Sequence, residues 1–340
     1  GGGGGSGSSM TTLPPQTIGV GQVPAIGHIE SCFVRRNGTP RQPGLASAAA
    51  SRLRVTWGTC PAHALDGLRA FSHVWLLFVF DQNRGGLEFI KSKVKPPRLD
   101  GQPTGLFACR TPHRPNPIGL SLVRLERVEH DTLVLAGADL IDGTPILDIK
   151  PYIPYADAPR PTDAVRAPDW VSAGAVPRLQ VEVTDEARAQ LRALCGGVVG
   201  AGATVAGAVA AGPAATAPAA QQQQQPLALR FYAGRPEAAE QALVELLQAD
   251  PRSVYRKQKC GGQSYLVTID GLEASCRFDP IEGSGPPPPL KADVEDGAPP
   301  SAPVEVARVL AVRLECAAGG APGGTARAEE DEDEAGAGLD

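Results

Sequence analysis

The stretch Arg110-Thr-Pro-His-Arg-Pro-Asn-Pro-Ile-Gly-Leu-Ser-Leu122 constrains the fold of this chain more than any other. Its first eight residues hold three prolines, two arginines and a histidine. Proline fixes φ and lacks a backbone donor, so we predict a rigid, shaped loop and not a central strand. The polar side chains that this loop presents are Arg110, His113, Arg114 and Asn116. Polar groups on rigid loops commonly form binding sites.

A second dense run follows, Asp142-Gly-Thr-Pro-Ile-Leu-Asp-Ile-Lys-Pro-Tyr152. It predicts a tight Asp-Gly turn that leads into an apolar segment ending at Lys150 and Tyr152. One such run is as readily explained as a proline-rich surface loop with incidental charge. Two runs of this density in one chain favour a functional site.

The segments around these runs predict a mainly β fold. Short apolar stretches separated by glycine and proline turns predict strands at 26–33, 52–56, 73–80, 104–109, 121–128, 132–135 and 146–149. Short strands at close spacing indicate a barrel or sandwich and not alternating βα units. The near-continuous apolar run at 73–80 predicts a strand buried on both faces, and 61–70 a short helix before it.

Composition changes along the chain predict two domains with disordered segments. The predicted order is a disordered leader at 1–24, a β-barrel domain at 25–160, a linker at 161–177, a smaller α+β C-terminal domain at 178–316 and a disordered acidic tail at 317–340. Low-complexity insertions at 196–225 and 281–302 interrupt the second domain. Its predicted elements are strands at 179–183, 265–269, 272–278 and 304–314, with helices at 185–194 and 236–249.

Charge and cysteine content narrow the class of protein. The 340 residues carry a net charge of −5, yet residues 26–160 hold 17 basic and 12 acidic side chains, a net of +5. A mildly basic folded part suits an anionic partner such as RNA, although many metabolic enzymes share this balance. Seven scattered cysteines predict an intracellular, reducing compartment, the cytoplasm first and an organelle as the alternative. No apolar run is long enough for a membrane helix, and no residue spacing predicts a metal site.

A third motif lies in the second domain, Asp250-Pro-Arg-Ser-Val-Tyr-Arg-Lys257. Basic residues interleaved with an aromatic can neutralise phosphates and stack on an unpaired base. The competing interpretation is a structural loop in which Asp250 and Tyr255 hold the junction between a helix and a hairpin. Neither a glycine-rich phosphate loop nor a nucleophile triad is present in the sequence.

Six ordered motifs together resemble one family. They are Pro40-Arg-Gln-Pro-Gly-Leu45, residues 67–80, Pro96-Pro-Arg-Leu99, the two long runs above and the motif at 250–257. They resemble the tRNA (adenine-37) 6-amino-methyltransferases of the TsaA-like, or VirR-like, β-barrel family. The resemblance implies a β-barrel methyltransferase that binds S-adenosylmethionine and works as a homodimer. It further implies methylation of the exocyclic 6-amino nitrogen of threonylcarbamoyladenosine at tRNA position 37, next to the anticodon.

The resemblance also implies the site residues. The cofactor-binding residues implied are Arg41, Gln42, Pro43, Asp81, Gln82, Arg110, Leu120, Leu140, Ile141, Asp142 and Gly143. Asp81 departs from the histidine associated with its position, which puts its cofactor contact in question. The substrate or RNA residues expected are His113, Arg114, Asn116, Lys150, Tyr152, Arg252, Tyr255, Arg256 and Lys257.

The catalytic base is the least defined part of this prediction. Asp142 is a candidate by position, and a structural Asp-Gly turn is an equal alternative. Two other classes of function remain open: a non-catalytic RNA-binding module on the same barrel, and a methyltransferase for another RNA or a small molecule.

Overall fold

A computed structural model describes residues 23–36, 38–83, 90–99, 102–171, 178–196, 229–252, 256–257, 263–281 and 305–314. The segments predicted to be disordered, at 1–24, 196–225, 281–302 and 317–340, lie outside these ranges except for a few bordering residues. Within the described ranges, no helix is long and apolar enough to cross a membrane.

Six antiparallel strands close into a barrel in the order β1-β2-β7-β6-β3-β8. The strands are β1 (Gly27–Ser31), β2 (Ala50–Val55), β3 (His73–Val79), β6 (Ile118–Glu129), β7 (Thr132–Ala136) and β8 (Pro145–Pro151). Burial alternates along them, as the period-two side-chain pattern of a strand requires. The inward side chains of Ile29, Leu53, Leu76, Leu133 and Ile146 are at most 1% exposed and form the barrel core. The predicted β-barrel is confirmed.

Three local predictions differ from the structure. The strand β3 is buried on its inner face only, because its outward residues Trp75, Leu77 and Val79 keep partial exposure. The predicted strand at 104–109 is a two-residue strand, β5 (Thr104–Gly105), followed by a 3₁₀ turn (Leu106–Ala108). The proline-rich loop ends at Pro117, and β6 begins at Ile118, where the first residues without proline can pair.

Gly119 has a specific packing reason to be glycine. It pairs with Phe78 across β3 and β6. A Cβ added at Gly119 would lie 2.1 Å from Cζ of the Phe78 ring. The ring of Phe78 is 5% exposed and lies across the glycine, so the motif's Pro-Ile-Gly-Leu segment lets an aromatic fill the barrel interior.

The remaining elements before the second domain are short. They are α1 (Pro61–Ala64), a 3₁₀ turn (Leu68–Ala70), β4 (Lys93–Val94), which pairs with β5, a 3₁₀ turn (Pro97–Leu99), α2 (Pro154–Asp157) and a 3₁₀ turn (Asp169–Val171). The predicted helix at 61–70 is therefore two separate turns. Gly67, with φ of 82°, divides them.

The second domain is a four-stranded sheet with two helices. Its elements are β9 (Gln180–Val183), α3 (Asp185–Gly196), α4 (Pro236–Gln248), β10 (Tyr265–Ile269), β11 (Leu272–Pro280) and β12 (Glu305–Leu314), and the sheet order is β10-β11-β12-β9. The hairpin between β10 and β11 turns through Asp270 and Gly271, with φ of 49° and 78°. Two successive positive φ values match the type I′ turn that an Asp-Gly pair predicts.

A segment between β1 and β2 packs into the core of the second domain. Cys32, Phe33, Ala46 and Ala49 are at most 2% exposed and belong to the same apolar cluster as α3, α4 and the second sheet. The Tyr232 hydroxyl donates to the carbonyl of Ala48 at 3.1 Å. Packing of this kind joins the barrel and the second domain directly, in addition to the chain between them.

Candidate functional site

Three of the predicted loops are tied together beside the barrel. Arg110 Nη1 donates to Gln42 Oε1 at 3.1 Å, which joins the proline-rich loop to the 40–45 motif. Asn83 Nδ2 donates to the carbonyl of Pro112 at 2.7 Å and anchors the end of β3 to the same loop. Arg36 donates through Nη2 to the carbonyl of Gln82. The structure therefore brings together residues that lie up to 68 positions apart in the sequence.

The predicted cofactor residues differ in exposure. The exposed ones are Arg41, Asp81, Gln82, Arg110, Leu120 and Gly143. The partly buried ones are Gln42, Pro43, Ile141 and Asp142. Leu140 is buried, with 2% of its surface exposed. Leu120 lies on the outer face of β6 and keeps 49% of its surface exposed. Most of the predicted cofactor residues are thus open to solvent, while Leu140 anchors the turn to the barrel core.

The Asp142 carboxylate is held by neighbouring groups. Its Oδ1 accepts the backbone N–H of Ser31 at 2.8 Å and pairs with Nη2 of Arg230 at 2.9 Å. The backbone N–H of Asp142 donates to the carbonyl of Phe33 at 2.7 Å, and that of Gly143 to Ile29 at 2.8 Å. These contacts favour the structural interpretation of the Asp-Gly turn over a free catalytic base.

A second carboxylate, which sequence reasoning missed, lies beside the same turn. Ser121 Oγ donates to Oδ1 of Asp139 at 2.6 Å. Burial raises the pKa of Asp139 to about 6, against the opposing effects of the Ser121 hydrogen bond and the positive charge of Arg110. An isolated acid within the apolar sequence Ala138-Asp-Leu140 is the signal that could have identified it.

The residues expected to contact RNA in the barrel domain occupy two places. Arg114 Nη1 donates to the carbonyl of Cys109 at 3.0 Å, and its guanidinium lies 5.4 Å from the ring of Phe107. Phe107 is 78% exposed. His113 is partly buried and Asn116 exposed in the same loop. This arrangement presents an aromatic face with a cation beside it, a combination suited to stacking on bases.

Lys150 and Tyr152 lie at the far end of β8. Lys150 Nζ pairs with Asp148 at 2.7 Å. The Tyr152 ring lies 6.4 Å from the rings of both His73 and Trp75. Tyr152 therefore belongs to an aromatic group on the outside of the barrel.

The structure corrects the role predicted for Arg252. Its side chain is 5% exposed, pairs with both oxygens of Asp250 at 2.9 and 3.0 Å, and pairs with Glu305 at 2.5 Å. The guanidinium also lies 3.8 Å from the centre of the Phe278 ring. A cation buried between two carboxylates and a ring is not available to a phosphate. Arg252 therefore supports the helix–hairpin junction together with Asp250, one of the two residues that the competing interpretation of the motif names.

The rest of this motif lies closer to solvent. Lys257 Nζ pairs with Asp250 at 2.9 Å and keeps 44% side-chain exposure, and Arg256 is partly buried. Burial raises the pKa of Tyr265 to about 12, while the charges of Arg256 and Arg41 oppose that rise. Both arginines therefore lie within electrostatic range of Tyr265. Tyr255 lies outside the described residues.

Arg230 is the other residue that sequence reasoning missed. It follows the low-complexity segment directly, and its guanidinium reaches Asp142 and the carbonyl of Ser31. The only sequence signal is the return of large side chains at Leu229-Arg-Phe-Tyr232. Within the described residues, no three histidine, cysteine, aspartate or glutamate side chains group as a metal site would require.

Comparison with known proteins agrees with this geometry. A family model described as the tRNA-methyltransferase O N-terminal domain matches residues 28–158. The crystal structure of TrmO from Pseudomonas aeruginosa is 30% identical, with a TM-score of 0.53, covering 86% of this chain and 96% of that one. The fold is thus that of the TrmO β-barrel proteins.

Sequence relatives extend the match. The tRNA (adenine(37)-N6)-methyltransferase of Escherichia coli is 35% identical over 262 residues, which is 75% of this chain and 92% of that protein. The human protein of the same name is 53% identical over 137 residues, 40% of this chain and 31% of its own length. The chain therefore matches about a third of the length of the mammalian relatives. It belongs to the tRNA (adenine(37)-N6)-methyltransferase, or tRNA-methyltransferase O, family.

Proposed function

We propose that this protein is an S-adenosylmethionine-dependent methyltransferase that acts on the 6-amino nitrogen of adenosine 37 in tRNA, with threonylcarbamoyladenosine as the form modified. The observation that carries the proposal is the match to the Escherichia coli relative, which runs through both domains. Its printed name specifies the adenine and its position, and relatives from Pseudomonas aeruginosa carry names that specify S-adenosylmethionine. A tRNA substrate places the reaction inside the cell, in the cytoplasm or an organelle.

The residues on the barrel surface fit this cofactor. The exposed guanidinium of Arg110 suits a carboxylate such as that of the methionine part. The exposed Leu120 offers an apolar surface for a purine ring. Gly143 has φ of +83°, and nothing lies within 4 Å of where its Cβ would be, so a ligand can approach the backbone closely there. When bound, the cofactor supplies a methyl group on a sulfonium, an intrinsically reactive donor.

The protein itself would position the acceptor nitrogen and assist the removal of its proton. Holding reacting groups in line supplies a large part of such a rate enhancement. The acceptor nitrogen is conjugated to a carbamoyl group and must lose a proton. Asp142 was the predicted base, but its carboxylate is already paired with Ser31 and Arg230, so we propose that it orders the loop. Asp139 is the other carboxylate of this region.

The RNA contacts would come from both domains. Phe107 and Arg114 offer a stacking surface on the barrel. Arg256 and Lys257 of the second domain offer positive charge. Because Arg256 and Arg41 both act electrostatically on Tyr265, we propose that one tRNA anticodon loop contacts the two domains together.

We also propose a homodimer formed by the outer face of β3 and β6. Leu77 pairs with Leu120 across these strands, and Val79 pairs with Ile118. Ile118 and Leu120 are 43% and 49% exposed, which leaves a row of apolar side chains in solvent. Leu120 is also a predicted cofactor residue, so a second copy on this face would lie beside the cofactor site.

Light scattering tests the dimer. Ile118→Asp should shift the molar mass from dimer to monomer at micromolar concentration. Leu266→Asp is the matched control, because Leu266 is 44% exposed on the second sheet and should leave the mass unchanged. A wild-type protein that is monomeric throughout would contradict the proposal.

The activity is tested with purified protein, S-adenosylmethionine carrying a labelled methyl group, and tRNA with or without threonylcarbamoyladenosine. Mass spectrometry of the digested nucleosides should show the methyl group only on threonylcarbamoyladenosine, and mass spectrometry of nuclease fragments should locate it at position 37. Arg110→Ala should weaken cofactor binding by about ten- to a hundredfold, the loss of a charge-assisted contact. Methylation of another RNA or of a small molecule, or RNA binding without any cofactor affinity, would point to the alternative functions instead.

A further inference from the structure

We propose that Arg230, in the second domain, is a positioning residue for the 140–143 turn of the barrel, and that the second domain thereby sets the affinity for the cofactor. The inference rests on the proposed function, because the turn is part of the predicted S-adenosylmethionine site. It assigns the second domain a role in the cofactor site that is separate from RNA contact.

The first observation is a closed set of contacts among three residues. Arg230 Nη2 donates to the carbonyl of Ser31 at 2.8 Å and pairs with Oδ1 of Asp142 at 2.9 Å. The same Oδ1 accepts the backbone N–H of Ser31 at 2.8 Å. Each member thus contacts the other two, so the guanidinium fixes the carboxylate against the end of β1.

The second observation is that Arg230 is itself held firmly. The Asp270 carboxylate, in a residue that is 3% exposed, accepts the backbone N–H groups of Arg230, Phe231 and Tyr232 at 3.0, 2.7 and 2.9 Å. The backbone N–H of Asp270 donates to the carbonyl of Cys32 at 2.7 Å. The turn of the β10–β11 hairpin therefore anchors Arg230 and contacts the segment after β1.

These contacts decide how large the effect should be. Without Arg230 the turn keeps the backbone hydrogen bonds from Asp142 to Phe33, from Gly143 to Ile29 and from Thr144 to Ile141. The Arg230 and Asp142 side chains are 38% and 27% exposed, so water partly screens their ion pair. Loss of Arg230 should therefore loosen the turn without unfolding it. A residue that acts through another in this way changes ligand affinity by about five- to tenfold.

The test compares wild type, Arg230→Ala and Arg230→Lys by titration calorimetry with S-adenosylmethionine. Arg230→Ala should raise Kd about five- to tenfold, and should raise the KM for the cofactor with little change in kcat. Arg230→Lys should recover part of the loss, because an ammonium replaces the charge beside Asp142. The matched control is Arg52→Ala. The guanidinium of Arg52 lies 5.3 Å from the ring of Phe231, and that of Arg230 lies 5.4 Å from it. Either substitution to alanine therefore removes one cation from that ring.

Hydrogen exchange gives a readout that needs no cofactor. In Arg230→Ala the amides of Asp142 and Gly143 should exchange faster, whereas those of β7 should not change. Asp142→Asn breaks the same ion pair from its other end, so its effect on Kd should not add to that of Arg230→Ala.

The outcomes separate the two proposals. If wild type binds S-adenosylmethionine and Arg230→Ala binds it equally well, the positioning role is wrong. Additive effects of the two substitutions, or unchanged exchange at 142 and 143, would reject it as well. If wild type does not bind the cofactor, the proposed function fails, and the exchange data still decide whether Arg230 orders the turn.

Discussion

Replacing Arg252 by alanine is expected to destabilise the second domain strongly. The substitution removes a buried cation from between Asp250 and Glu305 and from the face of the Phe278 ring. Asp250 would keep Lys257 as its remaining charged partner. The expected loss of RNA binding in this variant would then follow from unfolding and not from a missing phosphate contact.

The magnitude follows from the burial of the two carboxylates. The side chain of Asp250 is 12% exposed and that of Glu305 is 38% exposed, so most of the cost arises at Asp250. Removing one partner of a buried ion pair costs about 3–5 kcal/mol. Domains of this kind are stable by about 5–15 kcal/mol in total. The melting temperature should fall by roughly 10–20 °C.

The pH dependence has a definite sign. Burial alone would raise the pKa of Asp250, but the hydrogen bond from Arg252 and the charge of Lys257 outweigh it and lower the pKa. A carboxyl whose pKa is lower in the folded state stabilises the protein above its unfolded pKa, and this contribution is lost as the pH falls through the folded value. The difference between wild type and Arg252→Ala should therefore shrink in acid.

The assay pairs thermal unfolding with tRNA filter binding across salt concentrations. Lys257→Ala is the matched control, because it removes one positive charge from the same carboxylate at an exposed position. It should cost less than about 1 kcal/mol, yet weaken tRNA binding and flatten its salt dependence. A folded Arg252→Ala protein with an unchanged melting temperature and a tRNA defect equal to that of Lys257→Ala would refute this reasoning.

Four further substitutions test the barrel domain. Gly119→Ala should cost about 1–3 kcal/mol in denaturant titrations, because its Cβ would lie 2.1 Å from the Phe78 ring, whereas Gly105→Ala should be neutral because nothing lies within 4 Å. Asp139→Asn should stabilise the protein at neutral pH by up to about 3 kcal/mol. Burial raises the pKa of Asp139 to about 6, so the folded state binds this proton more tightly than the unfolded state does. The stability of the wild type, but not that of Asp139→Asn, should therefore fall as the pH rises from about 4 to about 6. Asp131→Asn should act with the opposite sign, since a hydrogen bond from Thr132 and another from Arg54 lower the pKa of Asp131. Melting curves of Asp139→Asn and Asp131→Asn across that pH range test both predictions, and changes of the same sign in the two variants would contradict them.

Strand positions and turn chemistry could be predicted from the sequence, because both depend on neighbouring residues. Short apolar stretches between glycine and proline turns predicted every strand of the barrel within a few residues, and Asp270-Gly271 predicted the hairpin turn. The proline-rich loop and the 40–45 motif were also visible as motifs. Among the local failures was the boundary at Ile118, since the pairing of a strand with β3 is decided by its partner.

Burial of charge could not be predicted in this way. Arg252 looks like any basic residue in a basic motif, and its partner Glu305 lies 53 positions away, beyond a low-complexity segment. Only the packing of β12 beside this motif determines that the guanidinium is enclosed. The same holds for Asp139, whose pKa is raised by burial and lowered in part by the Ser121 hydroxyl of β6, 18 positions away.

The sequence by itself determined a mainly β fold, the loops and, through the resemblance, the barrel family, because the order of motifs and the spacing of apolar stretches are contained in the chain itself. The tertiary structure alone decided which charges face solvent and which hold the protein together. Arg230 and Asp142 lie far apart in the sequence, yet pair at 2.9 Å because the segment after β1 packs into the second domain's core. The free energy of a charge depends on its surroundings in space, and the sequence does not contain those surroundings.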